Sequence, residues 1–381
     1  MDNVIMVGCD LHEATLHLKV AVGNGKARTL RVRNTGPARR AMIRALLKLS
    51  AQHAGAPVYF AYEACGQGFW LHDELTAAGI RCLVLAPTEM PRSRADRSQK
   101  NDERDAQRIL DVLRAALLAG SRLPSVWVPD QQTRDDRELV RLRLETAIKS
   151  SKVKTQIRMM LKRLNRQRGG DWGAKHLAVL KSLAASLPFG ARTALSSLLR
   201  QLQALQDELA ELDRAVAELA ASARYREAVE QLRQRGVGVL TILTVLVEIG
   251  DPGRFANRRQ LGAYFGLVPS MHESGQQSDC KGHITRRGPA PVRRVLCQAV
   301  WAKLRVDAKL GKAYLRWSER NPHRKKVFLV AQMRRLLIVL WHRAQELAPM
   351  APPTLQSALL ADPLPRKTER AAPARPAERG G

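Results

Sequence analysis

Asp102 and Asp105 stand one helical turn apart in KNDERDAQRIL (100–110), ahead of an apolar stripe, so both carboxylates share one helix face. Carboxylates in a first helical turn cap free N–H groups and meet the positive end of the helix dipole. Paired carboxylates also hold hard divalent cations through oxygen. Two further acids bear on the choice: Asp10 closes the apolar run VIMVGCD and Glu63 closes PVYFAYE, each either starting a turn or placed as a ligand at a strand end. Together Asp10, Glu63, Asp102 and Asp105 could hold two cations about 3.5–4 Å apart, which would stabilise the attacking and leaving oxygens as a phosphodiester is cleaved. A different chemistry attaches to Ser274, which precedes Gly275 in MHESGQQSDCKGHITRRG (271–288). Its hydroxyl either forms a turn or attacks a phosphate stabilised by the nearby cations Lys281, Arg286, Arg287 and Arg293. Ser278 is a rival in the same loop.

The elements that must position these groups follow from the hydrophobic pattern. VIMVGCD, TLHLKVAVG and ARTLRVRN read as three short strands separated by turn formers such as Asn24-Gly25. A helix from Pro37 to His53 follows, then a strand PVYFAYE, a helix from about Gln67 to Ala78, a strand RCLVLAP and the helix carrying Asp102 and Asp105. Three antiparallel strands followed by β/α alternation predict a ribonuclease-H-like domain over residues 1–128. The basic stretch TEMPRSRADRSQKND, between the last strand and the acidic helix, reads as a mobile loop, either solvated or in contact with phosphate.

From about Asp130 the pattern turns to long helices. Arg134, Arg137, Arg141, Lys154, Arg158, Lys162 and Arg163 make the first of them cationic, and opposite charges thin out after Glu145, as suits an element that tracks a phosphate backbone. The second carries Leu195, Leu198, Leu202, Leu205, Leu209, Leu212, Val216 and Leu219, an unbroken heptad seam that either packs against the basic helix of the same chain or, as eight positions in register favour, forms a coiled coil pairing protomers, and hence a homodimer or tetramer. Residues 129–230 are therefore expected to form a helical, coiled-coil linker. A mostly helical C-terminal domain is expected over 231–350, opening with Gly236 and Gly238 ahead of a helix. That is either an ordinary turn or a hairpin whose N–H groups meet a phosphate. The Pro-, Ala- and Arg-rich stretch 351–381 predicts a disordered tail.

Composition narrows the partners. The 381 residues carry 64 Lys and Arg against 35 Asp and Glu, a formal charge of +29 that points to a polyanion, nucleic acid first. Five scattered cysteines without a C-x-x-C pair read as reduced thiols in a cytoplasmic protein. Met1-Asp2 opens no basic n-region or apolar h-region, which argues against a signal peptide. The most apolar run, Val237 to Ile249, is shorter than the ~20 residues that cross a bilayer, so no membrane partner is expected.

Taken in order, Asp10, Glu63, Asp102-x-x-Asp105, a coiled-coil region, then G-x-G, EIGD (248–251 with Ile249 and Gly250), RF, GLVP (266–269), SG and G-x-I-x-R-x-G resemble the DEDD transposases of the IS-one-ten insertion-sequence family, relatives of the Piv-type DNA invertases. The match runs from about residue 4 to 310. The resemblance implies a RuvC-like N-terminal domain whose metal ligands are Asp10, Glu63, Asp102 and Asp105, with Mg²⁺ or Mn²⁺ as cofactor. It also implies a C-terminal transposase domain with Ser274 as catalytic nucleophile, donor and target double-stranded DNA as substrates, a structured guide RNA as partner, and a site of action at the bacterial nucleoid. One departure stands out: where the family tends to read G-N before a Leu-Arg pair, this chain has GPAPVRR (288–294), with the arginine retained. Two other classes fit the same residues, a RuvC-type nuclease that uses water and no serine, and a non-catalytic nucleic-acid-binding protein whose acids are caps.

Overall fold

The computed structural model describes residues 3–90, 102–167, 169–271 and 281–347. The tail expected to be disordered, the basic loop 91–101, and Ser274 and Ser278 lie outside them. The described residues fold as two compact units, which meet in sequence at Val128 and Pro129.

The first unit is ribonuclease-H-like. Its sheet comprises β1 (Ile5–Leu11), β2 (Thr15–Val22), β3 (Arg28–Arg33), β4 (Val58–Glu63) and β5 (Arg81–Leu85), in the order β3-β2-β1-β4-β5. β1, β2 and β3 form the expected antiparallel meander, whereas β4 and β5 run parallel to β1. β1 is central and covered on both faces, which is why it reads as a nearly continuous apolar run. Its odd residues Ile5, Val7, Cys9 and Leu11 enter a core with α1 (Gly36–Gln52) and α2 (Trp70–Ala77). Met6, on the opposite face, packs with Tyr59, Ala61 and α3 (Asp102–Ala119) through Ile109, Leu110 and Leu113. β3 is an edge strand and mostly exposed, with Arg28, Arg31 and Arg33 on it. At the other edge Val126 N donates to Val84 O at 2.7 Å and Ala86 N to Pro124 O at 2.7 Å, so residues 123–126 cover β5. The sequence reading placed nothing there.

The second unit is mostly helical. α4 (Gln131–Arg163) and α6 (Phe189–Ala221) are 33 residues each and run antiparallel, for Val140 and Leu144 share a core with Val216, while Val153 and Ile157 share one with Leu199 and Leu202. α5 (Ala174–Ala185) closes the far end of the pair through Leu177 and Leu180. The heptad seam lies along this contact. Leu195, Leu202, Leu212 and Val216 are buried within the chain, and Leu198, Leu205, Leu209 and Leu219 are half-buried. Of the two readings of the seam, packing against α4 of the same chain is the one the described residues adopt.

α7 (Arg226–Leu232) leads through a tight turn to α8 (Val239–Ile249). Every residue of α8 from Thr241 to Ile249 is buried, so the chain's most apolar run is a helix enclosed on all sides. Around it stand α9 (Arg258–Tyr264), α10 (Ala290–Val306), α11 (Ala308–Arg320) and α12 (Lys325–Glu346), with a two-stranded ribbon, β6 (Pro269–Met271) and β7 (Lys281–Ile284), between α9 and α10. Among the described residues no helix is long and apolar enough to cross a membrane. The described cysteines Cys9, Cys65, Cys82 and Cys297 are free thiols, and burial pushes the thiol pKa values of Cys9 and Cys82 up.

Candidate metal and nucleic-acid sites

Three of the four candidate acids come together on one face of the first unit. The parallel register that sets Cys9 beside Tyr62 brings Asp10 level with Glu63 on the neighbouring strand, about 4.8 Å away across the ladder. Strand alternation puts both on the face that carries Met6 and Tyr59, beneath α3. Helical spacing puts Asp105 on the same side of α3 as Ala106, Ile109 and Leu113, which are buried against the sheet. Asp102 begins α3 one turn earlier, and its side chain is outside the described residues.

Gly8 sets how close that helix comes. A Cβ at Gly8 would lie 2.5 Å from Leu110 N and 2.9 Å from Leu110 Cα, inside the backbone of α3. Helix backbone therefore rests directly on strand backbone beside Asp10. A glycine inside an apolar strand is the sequence signal for such an approach.

Arg108 and His12 complete the acidic face. The Arg108 guanidinium donates through Nη2 to Glu63 Oε1 at 2.8 Å and lies 3.1 Å from Asp105 Oδ1, so one cation bridges two of the acids. His12 Nε2 and Asp10 Oδ2 are 2.9 Å apart. Both partners were legible as spacing, His12 two residues on from Asp10, just past the end of β1, and Arg108 three along the helix from Asp105, but neither was singled out. Among the described residues no three His, Cys, Asp or Glu side chains already form a metal cluster. The donor set nevertheless suits a hard divalent cation: it is all carboxylate oxygen, and the place already holds a positive charge between Glu63 and Asp105.

The cationic residues of the second unit divide sharply. Arg137, read as a nucleic-acid contact, is 8% exposed and donates to Val247 O at 2.6 Å and Glu248 O at 3.0 Å, closing the C-terminus of α8. Burial pulls its pKa down, with Glu248 opposing. Arg141 makes a two-pronged pair with the 1% exposed Glu248 carboxylate, at 2.7 and 2.9 Å, and that hydrogen bonding raises its pKa. Arg254 donates to Ile249 O at 2.9 Å and lies over Phe255 and Tyr264. The EIGD-to-RF block is thus a knot around the buried Glu248; Arg137 is corrected from a phosphate contact to a buried part of it, while Arg141, its side chain 39% exposed, is committed to Glu248 through Nε and Nη2. A buried carboxylate demands such partners, and a linear reading of α4 could not see Glu248 more than 100 residues away.

Farther along α4, Arg158, Lys162 and Arg163 are exposed and Lys154 is half-buried, with Arg158 lying 5.2 Å from the centre of the Trp172 ring. Arg134 is half-buried and donates to Gln131 at 2.9 Å. Gly236 has φ +81, and a Cβ on it would meet Lys303 Cα at 2.9 Å, so packing against α10 alone requires glycine there. Gly238 is the exposed residue preceding α8.

The ribbon flanking residues 272–280 is tied down at its base. Gly266 and Gly288 both have positive φ, and a Cβ on either would strike backbone of the other's segment, Arg287 or Tyr264. Arg293 Nη1 donates to Arg287 O at 2.7 Å, Gly288 O at 3.1 Å and Phe265 O at 3.2 Å. Its pKa is lowered by burial and then by Arg286. Arg293, expected at nucleic acid, clamps this turn, and GPAPVRR is accommodated with Pro289 immediately before α10. Arg286 and Arg287 remain exposed, and the Lys281 side chain lies outside the described residues.

Residues 7–166 match the sequence profile of a DEDD transposase domain of the IS110 type, and residues 232–316 match that of the transposase IS116/IS110/IS902 family. A putative transposase of Sinorhizobium fredii, y4qE, is 33% identical over 68% of this chain and 61% of its own length, so the match spans less than two thirds of that relative. The transposase for insertion sequence element IS1111A of Coxiella burnetii is 31% identical over 64% of this chain and 65% of its own. A probable family 20 transposase of Pseudomonas aeruginosa is 28% identical, covering 72% and 80% respectively.

Proposed function

Since the chain belongs to the IS116/IS110/IS902 family of transposases, we propose that it cuts and rejoins the DNA strands of an insertion sequence, guided by a structured RNA. The observation that carries the reading is the gathering of Asp10, Glu63 and Asp105 on one face, with α3 seated on Gly8. Asp10, Glu63, Asp102 and Asp105 would hold Mg²⁺ or Mn²⁺, which when bound supplies neutralisation of phosphate charge. The carboxylates orient that charge, and Arg108 balances Glu63 and Asp105. Ser274 Oγ forms the bond to phosphorus as the bond from phosphorus to the deoxyribose oxygen breaks. The serine proton leaves to solvent and the departing oxygen takes one up, so the phosphodiester is kept as a phosphoserine link ready for rejoining.

The test is a trap for a covalent protein–DNA adduct, combined with sequencing of RNA that co-purifies. The adduct is expected with the wild-type chain and absent with Ser274→Ala and with Asp102→Ala. Strand-exchanged product from Ser274→Ala would overturn the serine step in favour of a metal-dependent nuclease acting through water. Absence of any enriched RNA would overturn guidance.

A further inference from the structure

We propose that the corner formed by the end of α10, α11 and the start of α12 is a binding surface for unpaired DNA. Four aromatic side chains run across it in contact: Trp301 with Tyr314 at 5.7 Å between ring centres, Tyr314 with Phe328 at 5.6 Å, and Phe328 with Trp317 at 6.3 Å. Two of the chain's six tryptophans are here. The corner is not a closed core. α11 has no buried residue, and Trp301, Leu315 and Val327 are 42%, 60% and 55% exposed. The cost of leaving this apolar area in water is the reason to look for an occupant.

Charge selects that occupant. Lys309, Lys312, Arg316, Arg320, Lys325 and Lys326 are exposed around the rings, and none has an ion-pair partner among the described residues. Of the acids nearby, Asp307 is engaged in capping α11 through Leu310 N at 3.0 Å, which leaves Glu319. A second copy of this chain, at +29, would bring like charge onto the patch. A polyanion suits the cations, and only one whose bases are unstacked can also use the rings: bases stack on aromatic side chains while phosphates meet the cations. A duplex, with its bases stacked inside, would use the cations alone. The choice of DNA rests on the reading above that strands are cut and rejoined, since a cut strand that is rejoined elsewhere must leave its complement on the way. The surface requires neither Ser274 nor the acids.

The experiment measures binding of fluorescent oligo(dT), oligo(U) and a mixed-sequence duplex to the full chain and to Trp301→Ala, Trp301→Phe and a Lys312→Gln/Arg316→Gln double variant. Trp301→Ala is expected to weaken oligo(dT) binding roughly tenfold, the range for loss of one stacked base, with the duplex unchanged and Trp301→Phe close to wild type. The double variant is expected to weaken both DNAs and lower the salt slope by about two. Because other basic surfaces could mask the change, photo-crosslinking of 5-bromodeoxyuridine oligonucleotides is read by peptide mapping, with adducts expected between residues 301 and 328. Unchanged oligo(dT) affinity together with no adduct in that span overturns the proposal. So does tighter binding of oligo(U) than oligo(dT), or a change in oligomeric state of Trp301→Ala, which would make the corner a contact between copies. The covalent-adduct trap with duplex substrate is independent of these outcomes, so failure here is distinguishable from failure of the strand-cutting reading.

Discussion

Gly8→Ala tests whether helix-to-strand contact sets the acidic site. The added methyl would lie 2.5 Å from Leu110 N, where an ordinary contact is about 3.5 Å, so α3 must retreat by about 1 Å. Overpacking of this kind costs about 1–3 kcal/mol and should lower the urea midpoint by that amount divided by the m-value, with the slope unchanged. The site should suffer more than the fold. Asp102 and Asp105 ride on the helix while Asp10 and Glu63 stay on the sheet, and a 1 Å misplacement of reacting groups costs roughly 10²-fold in rate. The assays are urea unfolding, Mn²⁺ binding followed by electron paramagnetic resonance, and strand cleavage, with Gly66→Ala as control because a Cβ at Gly66 meets nothing within 4 Å. A Gly8→Ala protein with wild-type midpoint and wild-type Mn²⁺ affinity would refute the claim that backbone contact at Gly8 positions the acids.

Three further outcomes follow from the same geometry. Arg108→Gln removes the cation between Glu63 and Asp105, so Mn²⁺ should bind roughly tenfold tighter, about 1.4 kcal/mol, while the metal-free protein loses stability; weaker Mn²⁺ binding would contradict this. Glu248→Ala leaves Arg137 and Arg141 facing each other without their carboxylate and should cost about 3–5 kcal/mol in urea unfolding. Adding Arg141→Met should recover part of that loss. At Asp130, burial works to raise the pKa, but hydrogen bonds from Thr133 N and Oγ1 at 2.7 and 2.8 Å, with Arg224, outweigh it and hold the value below normal. A depressed carboxylate stabilises the fold above its unfolded pKa near 3.9, and that contribution is lost as pH falls through the lower folded value. The stability gap between wild type and Asp130→Ala, about 1 kcal/mol at pH 7, should therefore close in acid; a gap that persists below pH 2 would argue that the capping carboxylate is not its source.

Much of the first unit was legible because its signals are local. Strand alternation, the turn at Asn24-Gly25 and the β/α order place Asp10 and Glu63 at strand ends from the chain alone, and α2 and α3 lie within a few residues of expectation. The short β6–β7 ribbon escaped notice because GLVPSM and KGHI are too brief and too polar for a period-two pattern to emerge.

The amino-acid sequence by itself determined which side chains exist at which spacing: an apolar helix that had to be enclosed, acids at strand ends, and a cationic α4. Only the tertiary structure decided which of those charges remain available. Arg137, Arg141 and Arg293 read like Lys162 and Arg163 along the chain, yet the first three spend their donors on Glu248 or on backbone carbonyls while the last two face water. The heptad seam likewise specified an apolar stripe, and the antiparallel return of α6 along α4 decided what covers it. The physical reason is common to both. Periodicity records that a face must be buried or a charge balanced, whereas the identity of the partner is settled by the tertiary path of the chain, as when Arg141 meets Glu248, 107 residues away, which no local pattern encodes.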